Sequence, residues 1–200
     1  WCLRSGRDDV AATIDEVKQG IKLVVIAPTI PKGWPILPPL HYIVYDKSGK
    51  CIVIEPIKGK LIVYDNPIGV MTNSPTFDWH LTNLSNYINL SPVNPPPMTI
   101  DNVKLQQLGA GSGMHGLPGD FTPPSRFVRA AVFSSAAIPA KDANAAVFQL
   151  FHLLNQFDIP VGTVRDEVKN TMIPEYTLAT VVRDSQNLTL KNYYCLFLLW

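Results

Sequence analysis

The sequence predicts an α+β layered fold, and three observations carry that reading. β-branched runs separated by short turns crowd residues 41–72 and return at 176–199. Helical periodicity takes over in between, at 77–88, 125–133 and 142–157. The 200 residues are 46% hydrophobic and only 16% charged, the composition of one ordinary domain with a real core. Blocks of strands, then helices, then strands suit layers of antiparallel sheet and helix.

The elements follow in order. "DDVAATIDEVKQG" reads as a helix: Asp8 or Asp9 caps it, Val10, Ile14 and Val17 recur at helical spacing, and Gly20 sits just past its end. Strands at 41–46 and 51–57 flank the turn "KSGK"; "KGK" leads into a strand at 61–65, and "NP" into one at 68–72. This is an antiparallel meander, apolar on both faces at several points and hence covered on both sides. A helix over 77–88 aligns Phe77, Leu81, Leu84 and Ile88. Residues 89–124 read as irregular. Pro123 and Pro124 introduce a helix over 125–133, since proline is tolerated in a first turn. The helix over 142–157 has a wide apolar face of Ala146, Phe148, Leu150, Phe151, Leu154 and Phe157. Strands at 176–183 and 188–199 close the chain. The 18 prolines cluster in 28–39, 92–97 and 118–124, which must therefore be loops.

Several function classes are excluded by what is missing. Net charge is +1 with no basic stripe, so nucleic acid is not an expected partner. No apolar run reaches the roughly 18 residues of a membrane span. "GAGSGMHGLPG" has neither dinucleotide nor Walker spacing and reads as a loop needing positive φ. Ser112 lacks the glycines of a nucleophile elbow. His41, His80, His115 and His152 form no metal spacing, so no metal or other cofactor is expected. Cys2, Cys51 and Cys195 are isolated and odd in number, and Cys51 alternates into a strand as a core residue.

Two residues remain as candidates for chemistry. Asn73 follows the 68–72 run, at the carboxyl end of that expected strand, and Arg126 sits in "SRF". The plain reading has Asn73 bonding local backbone and Arg126 pairing with a carboxylate such as Asp120.

The motifs favour another reading. "VMTNSPTFDWHLTNLSNY", followed by "LGAGSGMHGLPGDFTPPSRFVRAA", resembles the linear-amide C–N hydrolases: the choloylglycine (bile salt) hydrolases and penicillin V acylases. The likeness continues through "SGKCIVIEP", "FQLFHLLNQFDIPVGTVRD" and "EYTLATVVRDSQNLTL". Asn73 and Arg126 stand 53 positions apart in the family's order. The resemblance implies an N-terminal nucleophile hydrolase, an αββα sandwich of two antiparallel sheets flanked by helices. In that family a mature N-terminal cysteine attacks an amide carbonyl. Its α-amine, titrating near pH ~7.7–8, serves as base, and an acyl-enzyme is then hydrolysed. Asn73 matches the family asparagine that helps hold the tetrahedral oxyanion. Arg126 matches the arginine near the cysteine sulfur, where a fixed positive charge lowers a thiol pKa. Arg129, one turn on, reads as a structural or surface charge.

The family's nucleophile lies far upstream of its "MTNSPTF" asparagine, whereas 72 residues precede Asn73 here. Cys2, after Trp1 and in a helix-like context, does not match it. Residues 1–200 are thus expected to be a partial choloylglycine hydrolase-like domain, its middle and C-terminal portion, missing the early strands and inactive alone. The likeness is expected to lapse after "TLKNYY". Trp79, Met114 and Leu117 are candidates to line an acyl pocket, with packing as the plainer role of each. The implied substrate is a small N-acyl amide: a conjugated bile salt, penicillin V or an N-acyl homoserine lactone. The arm over 87–108 resembles the family's tetramer-forming segment, so the intact protein is expected to be a homo-oligomer. A non-catalytic remnant or binding protein on the same scaffold is the alternative.

Overall fold

A computed structural model describes residues 13–25, 29–30, 40–168, 170–184 and 189–194. They fall in two units, Trp1–Asn83 and Leu84–Trp200, taken here in turn.

In the first unit, α1 (Ile14–Gly20) opens with a capping box on Thr13. The Glu16 N–H donates to Thr13 Oγ1 (3.2 Å) and the Thr13 N–H to Glu16 Oε2 (3.0 Å). The cap is thus Thr13 rather than Asp8 or Asp9, which lie outside the described residues. Gly20 does not stop the helix as expected. Its φ is −64°, and a 3₁₀ turn over Ile21–Leu23 carries on from it.

Strands β1 (Tyr42–Tyr45), β2 (Cys51–Ile57) and β3 (Lys60–Asp65) form an antiparallel sheet with β2 in the middle. Ile54 lies opposite Tyr42 on one side and Val63 on the other. The β2–β3 turn uses Lys58 and Gly59 at φ 48° and 78°, the primed geometry that matches strand twist. Every residue from Cys51 to Glu55 is buried. Alternation sends Ile52 and Ile54 to one face, where they pack with Ile14 and Ile21 of the helical segment. Burying each such side chain contributes roughly 1.5–3 kcal/mol. That packing, rather than intrinsic propensity, holds a helix as short as α1. Val53 and Glu55 point to the other face, under α2 (Phe77–Leu84). There the Phe77 N–H donates to Glu55 Oε2 (3.1 Å), and the Phe77 ring tilts against Tyr64 at 5.8 Å. The sheet is covered on both faces, as the sequence predicts.

The strand expected over 68–72 does not form. Asn66 Nδ2 donates to the Val70 carbonyl (3.0 Å), while Asn66 Oδ1 accepts the Gly69 N–H (2.9 Å). One side chain thereby occupies backbone groups that a ladder would need. In α2 the expected stripe also ends early: Phe77 is buried, but Ile88 is 87% exposed. After Leu84 the backbone tightens into a 3₁₀ turn over Ser85–Tyr87, so the helical angle per residue changes and Ile88 swings away.

In the second unit the region read as irregular contains a hairpin, β4 (Met98–Ile100) with β5 (Val103–Leu105). Asp101 and Asn102 turn it at φ 45° and 68°. α3 (Pro123–Ala136) starts on its two prolines and buries Phe127, Val128 and Ala131. α4 (Ala143–Leu154) is capped by Asp142, whose Oδ1 accepts the Ala145 N–H (2.8 Å). Its apolar face is wider than its described neighbours cover: Phe148 is 69% exposed. Two antiparallel hairpins follow, β6 (Val164–Val168) with β7 (Thr171–Glu175), and β8 (Ala179–Asp184) with β9 (Thr189–Tyr194). The first of these was not predicted, because "VRDEV" carries too few apolar residues to alternate. The last pair was, with β8 starting at Ala179 rather than at 176; residues 188 and 195–199 of the second expected strand lie outside the described residues. The fold is α+β, its described sheets all antiparallel.

Candidate active site

Asn73 lies in a bend over 73–75, not at a strand end, and its side chain is exposed. The bend contains a cis Ser74–Pro75 peptide. Its position is fixed from α2. His80, 2% exposed, places Nε2 at 2.8 Å from the Asn73 carbonyl, and Thr72 Oγ1 stands farther off at 3.4 Å. A carbonyl can only accept, so Nε2 carries the proton. Trp79 neighbours this histidine edge-on, ring centroids 5.5 Å apart, and is itself 43% exposed rather than packed away.

Beneath the start of α2 sits Glu55, a carboxylate with 2% of its surface exposed. Its Oε1 meets His41 Nδ1 at 2.9 Å while Oε2 takes the Phe77 N–H. The sequence reading passed over Glu55. The signal was there: an acid in the middle of "CIVIEPI", on a strand buried on both faces, must have partners built for it.

Arg126 lies in the first turn of α3, half-buried, with Nε donating to the Phe121 carbonyl (2.9 Å). Burial pulls its pKa down, nearby Arg129 adds to this, and Glu175 on β7 opposes it. A guanidinium remains charged through such shifts. Asp120, the acid that the plain reading offers it, is engaged by other groups. That carboxylate accepts the Thr122 N–H (2.9 Å), the Thr122 hydroxyl (2.5 Å) and the Ser125 hydroxyl (2.6 Å), and its charge acts on Arg129. Arg129 has the structural role expected of it, but buried, at 4% exposure, rather than at the surface. Its Nη1 donates to the carbonyls of Pro118 (2.8 Å) and Asp120 (2.7 Å), and its guanidinium stands 5.3 Å from the Phe157 ring centroid.

The hydroxyls and N–H on Asp120 hold its pKa down to about 2. A depressed acid stabilises the fold above its unfolded pKa, about 3.9, and the contribution disappears as pH falls toward 2. Asp120→Asn is therefore expected to flatten the part of the acid-unfolding profile between those limits. An unchanged profile would show that the carboxylate does not secure α3.

Met114 and Leu117 are half-buried on the loop before α3. Asn94 Oδ1 pins that loop by accepting the Gly111 N–H (2.9 Å), the Ser112 N–H (3.0 Å) and the Ser112 hydroxyl (3.1 Å). Gly111 uses the positive φ expected of this glycine-rich run, at 91°. A side chain at Gly113 would drive into the carbonyl oxygens of Ser91 and Val93, so only glycine fits there. Arg129 grips the carbonyls of Pro118 and Asp120, which ties the segment after Leu117 to α3 in the second unit. Asn73 and Trp79 form a separate group on the first unit.

Comparison with known proteins identifies the family of the chain. The model of the linear amide C–N hydrolases, choloylglycine hydrolase family, matches residues 8–198. The chain belongs to the choloylglycine hydrolase family. The match passes through the tail beyond Tyr194, where the likeness was expected to lapse, and Cys195 lies outside the described residues. A bile salt hydrolase/transferase of Clostridium perfringens is 39% identical over 171 residues, covering 83% of this chain and 50% of that protein. A penicillin V acylase of Pectobacterium atrosepticum is 32% identical over 137 residues, 66% of this chain and 31% of the acylase. The crystal structure of a cysteine-to-alanine mutant of the Clostridium perfringens conjugated bile acid hydrolase superposes with a TM-score of 0.72. It is 35% identical and covers 92% of this chain and 58% of that one. The chain thus spans about half the length of the bile acid hydrolases it matches.

Within this family member, the described cysteine is no nucleophile. Cys51 is 8% exposed, and desolvation pushes its thiol pKa up, which depletes the thiolate. Among the described residues no cluster of His, Cys, Asp or Glu could hold a metal ion, and no helix is long and apolar enough to cross a membrane. A shallow cleft of about 340 Å³ beside α1 is lined by Asp15, Lys18, Lys50 and Asp65. Its lysines pair with its acids, Lys18 with Asp65 and Lys50 with Asp15, and it contains none of the candidate site residues.

Proposed function

We propose that the protein carrying this chain hydrolyses the amide C–N bond of small N-acyl substrates, and that residues 1–200 supply Asn73 and Arg126 to that reaction. In this reading a mature N-terminal cysteine, matched by neither Cys2 nor Cys51, attacks the carbonyl. The neutral amide of Asn73 donates to the oxyanion, which needs a donor that does not titrate. The charge of Arg126 favours the thiolate. Trp79, Met114 and Leu117 contact the acyl group. The family match over residues 8–198, a span that includes Asn73 and Arg126, carries the proposal.

Conjugated bile salts are the substrate class the relatives' names support best, with penicillin V next. The intact protein, given taurine- and glycine-conjugated bile salts, penicillin V and an N-acyl homoserine lactone, is expected to release the amine from at least one. Release from none would overturn the reading and leave a non-catalytic member of the scaffold.

The same protein is proposed to be a homotetramer assembled through the arm over 87–108. That arm presents Met98 (58%), Val103 (59%) and Leu108 (104% exposed) to solvent, apolar surface that self-association would cover. Sedimentation is expected to give four chains; a monomer would refute the arm's role.

A further inference from the structure

We propose that His80 is a positioning residue for Asn73: its Nε2–H holds the Asn73 carbonyl and so aims the Asn73 amide. The inference rests on the amidase reading for its catalytic consequence, but not for its geometry. The 73–75 bend has an exposed side chain at its head and belongs to no ladder, so nothing in regular structure sets its orientation. Two buried polar groups do. Glu55 seats the first residue of α2 by accepting the Phe77 N–H, and His41 holds the other oxygen of Glu55. His80, one turn into the helix, then reaches back over seven residues to the Asn73 carbonyl at 2.8 Å. Its own N–H donates to the Thr76 carbonyl (3.1 Å), so ring and bend share one rigid turn. The side chain is 2% exposed, which fixes its rotamer. The sheet therefore dictates where α2 begins, and α2 dictates where Asn73 stands.

The two nitrogens of histidine have separate mimics. A glutamine places an amide near Nε2, and an asparagine places one near Nδ1. In the intact protein, His80→Asn should lose the bond to Asn73 and His80→Gln should largely restore it. Two readouts apply: hydrogen exchange of the amides in 71–77, and kcat and KM for amide hydrolysis. With His80→Asn, exchange should quicken in 71–77. The rate kcat should fall about 10²-fold, the scale of a small misplacement in an active site, with KM nearly unchanged. With His80→Gln, most of both losses should be recovered. Equal behaviour of the two variants, or unchanged exchange in His80→Asn, would overturn the proposal, because a merely space-filling histidine would not distinguish its nitrogens. If the exchange pattern holds while the unsubstituted protein cleaves no amide, the tether stands and the amidase reading falls.

Discussion

Asn73→Ala in the intact protein is expected to lower kcat for amide hydrolysis by about 10²–10³-fold, the usual consequence of deleting one oxyanion donor. KM should change little, because the donor works on charge that develops only in the transition state. The substitution is a clean probe. The residue is exposed, and the His80 bond to its carbonyl is one that alanine keeps. The melting temperature should accordingly stay where it is. Steady-state kinetics on the preferred substrate decide the matter, and a variant with wild-type kcat would remove Asn73 from the mechanism.

Glu55→Ala is expected to destabilise the protein by about 2–6 kcal/mol, since each of two buried groups left without its hydrogen-bond partner costs about 1–3 kcal/mol. The carboxylate has both oxygens engaged, one by His41 and one by the Phe77 N–H. Truncation strands a backbone donor and a ring nitrogen in a site closed to water, and it opens a void beneath α2. Glu55→Gln keeps the shape and an acceptor, so it should cost less than half as much. Urea unfolding measures both, with the m-value expected to hold. Equal losses for the two variants would mean that volume rather than charge holds the site. A loss below about 1 kcal/mol for Glu55→Ala would mean that the pair secures nothing.

Local physics made much of the fold readable. β2 was found with both its bounds, because four consecutive apolar residues, Cys51 to Ile54, in a short run between two turn sequences admit few other arrangements. The entry to α3 through paired prolines was equally plain, and the helix read from 142 starts at Ala143 with Asp142 as its cap. What failed depended on partners distant in sequence or on turn geometry. The 68–72 run has a strand's composition, and only the folded position of Asn66 shows its backbone already engaged. Ile88 keeps helical spacing in the sequence, but a 3₁₀ turn rotates it into solvent. The β4–β5 hairpin turns on Asp-Asn, a weaker signal than a glycine-bearing pair, and its strands are exposed.

The candidate site divides along the same line. Asn73 and Arg126 were legible because side-chain chemistry at fixed spacing is written directly in a motif. Their supports were not: Glu55, His41 and His80 act through contacts spanning 7 to 22 residues. By itself the sequence determined which residues are proposed for the family chemistry and which segments can bury apolar surface, both properties of short stretches. Tertiary structure alone decided that a buried acid would seat α2 and that a histidine would hold the Asn73 bend. A desolvated polar group must find a partner, and which partner is within reach is known only once the chain has folded.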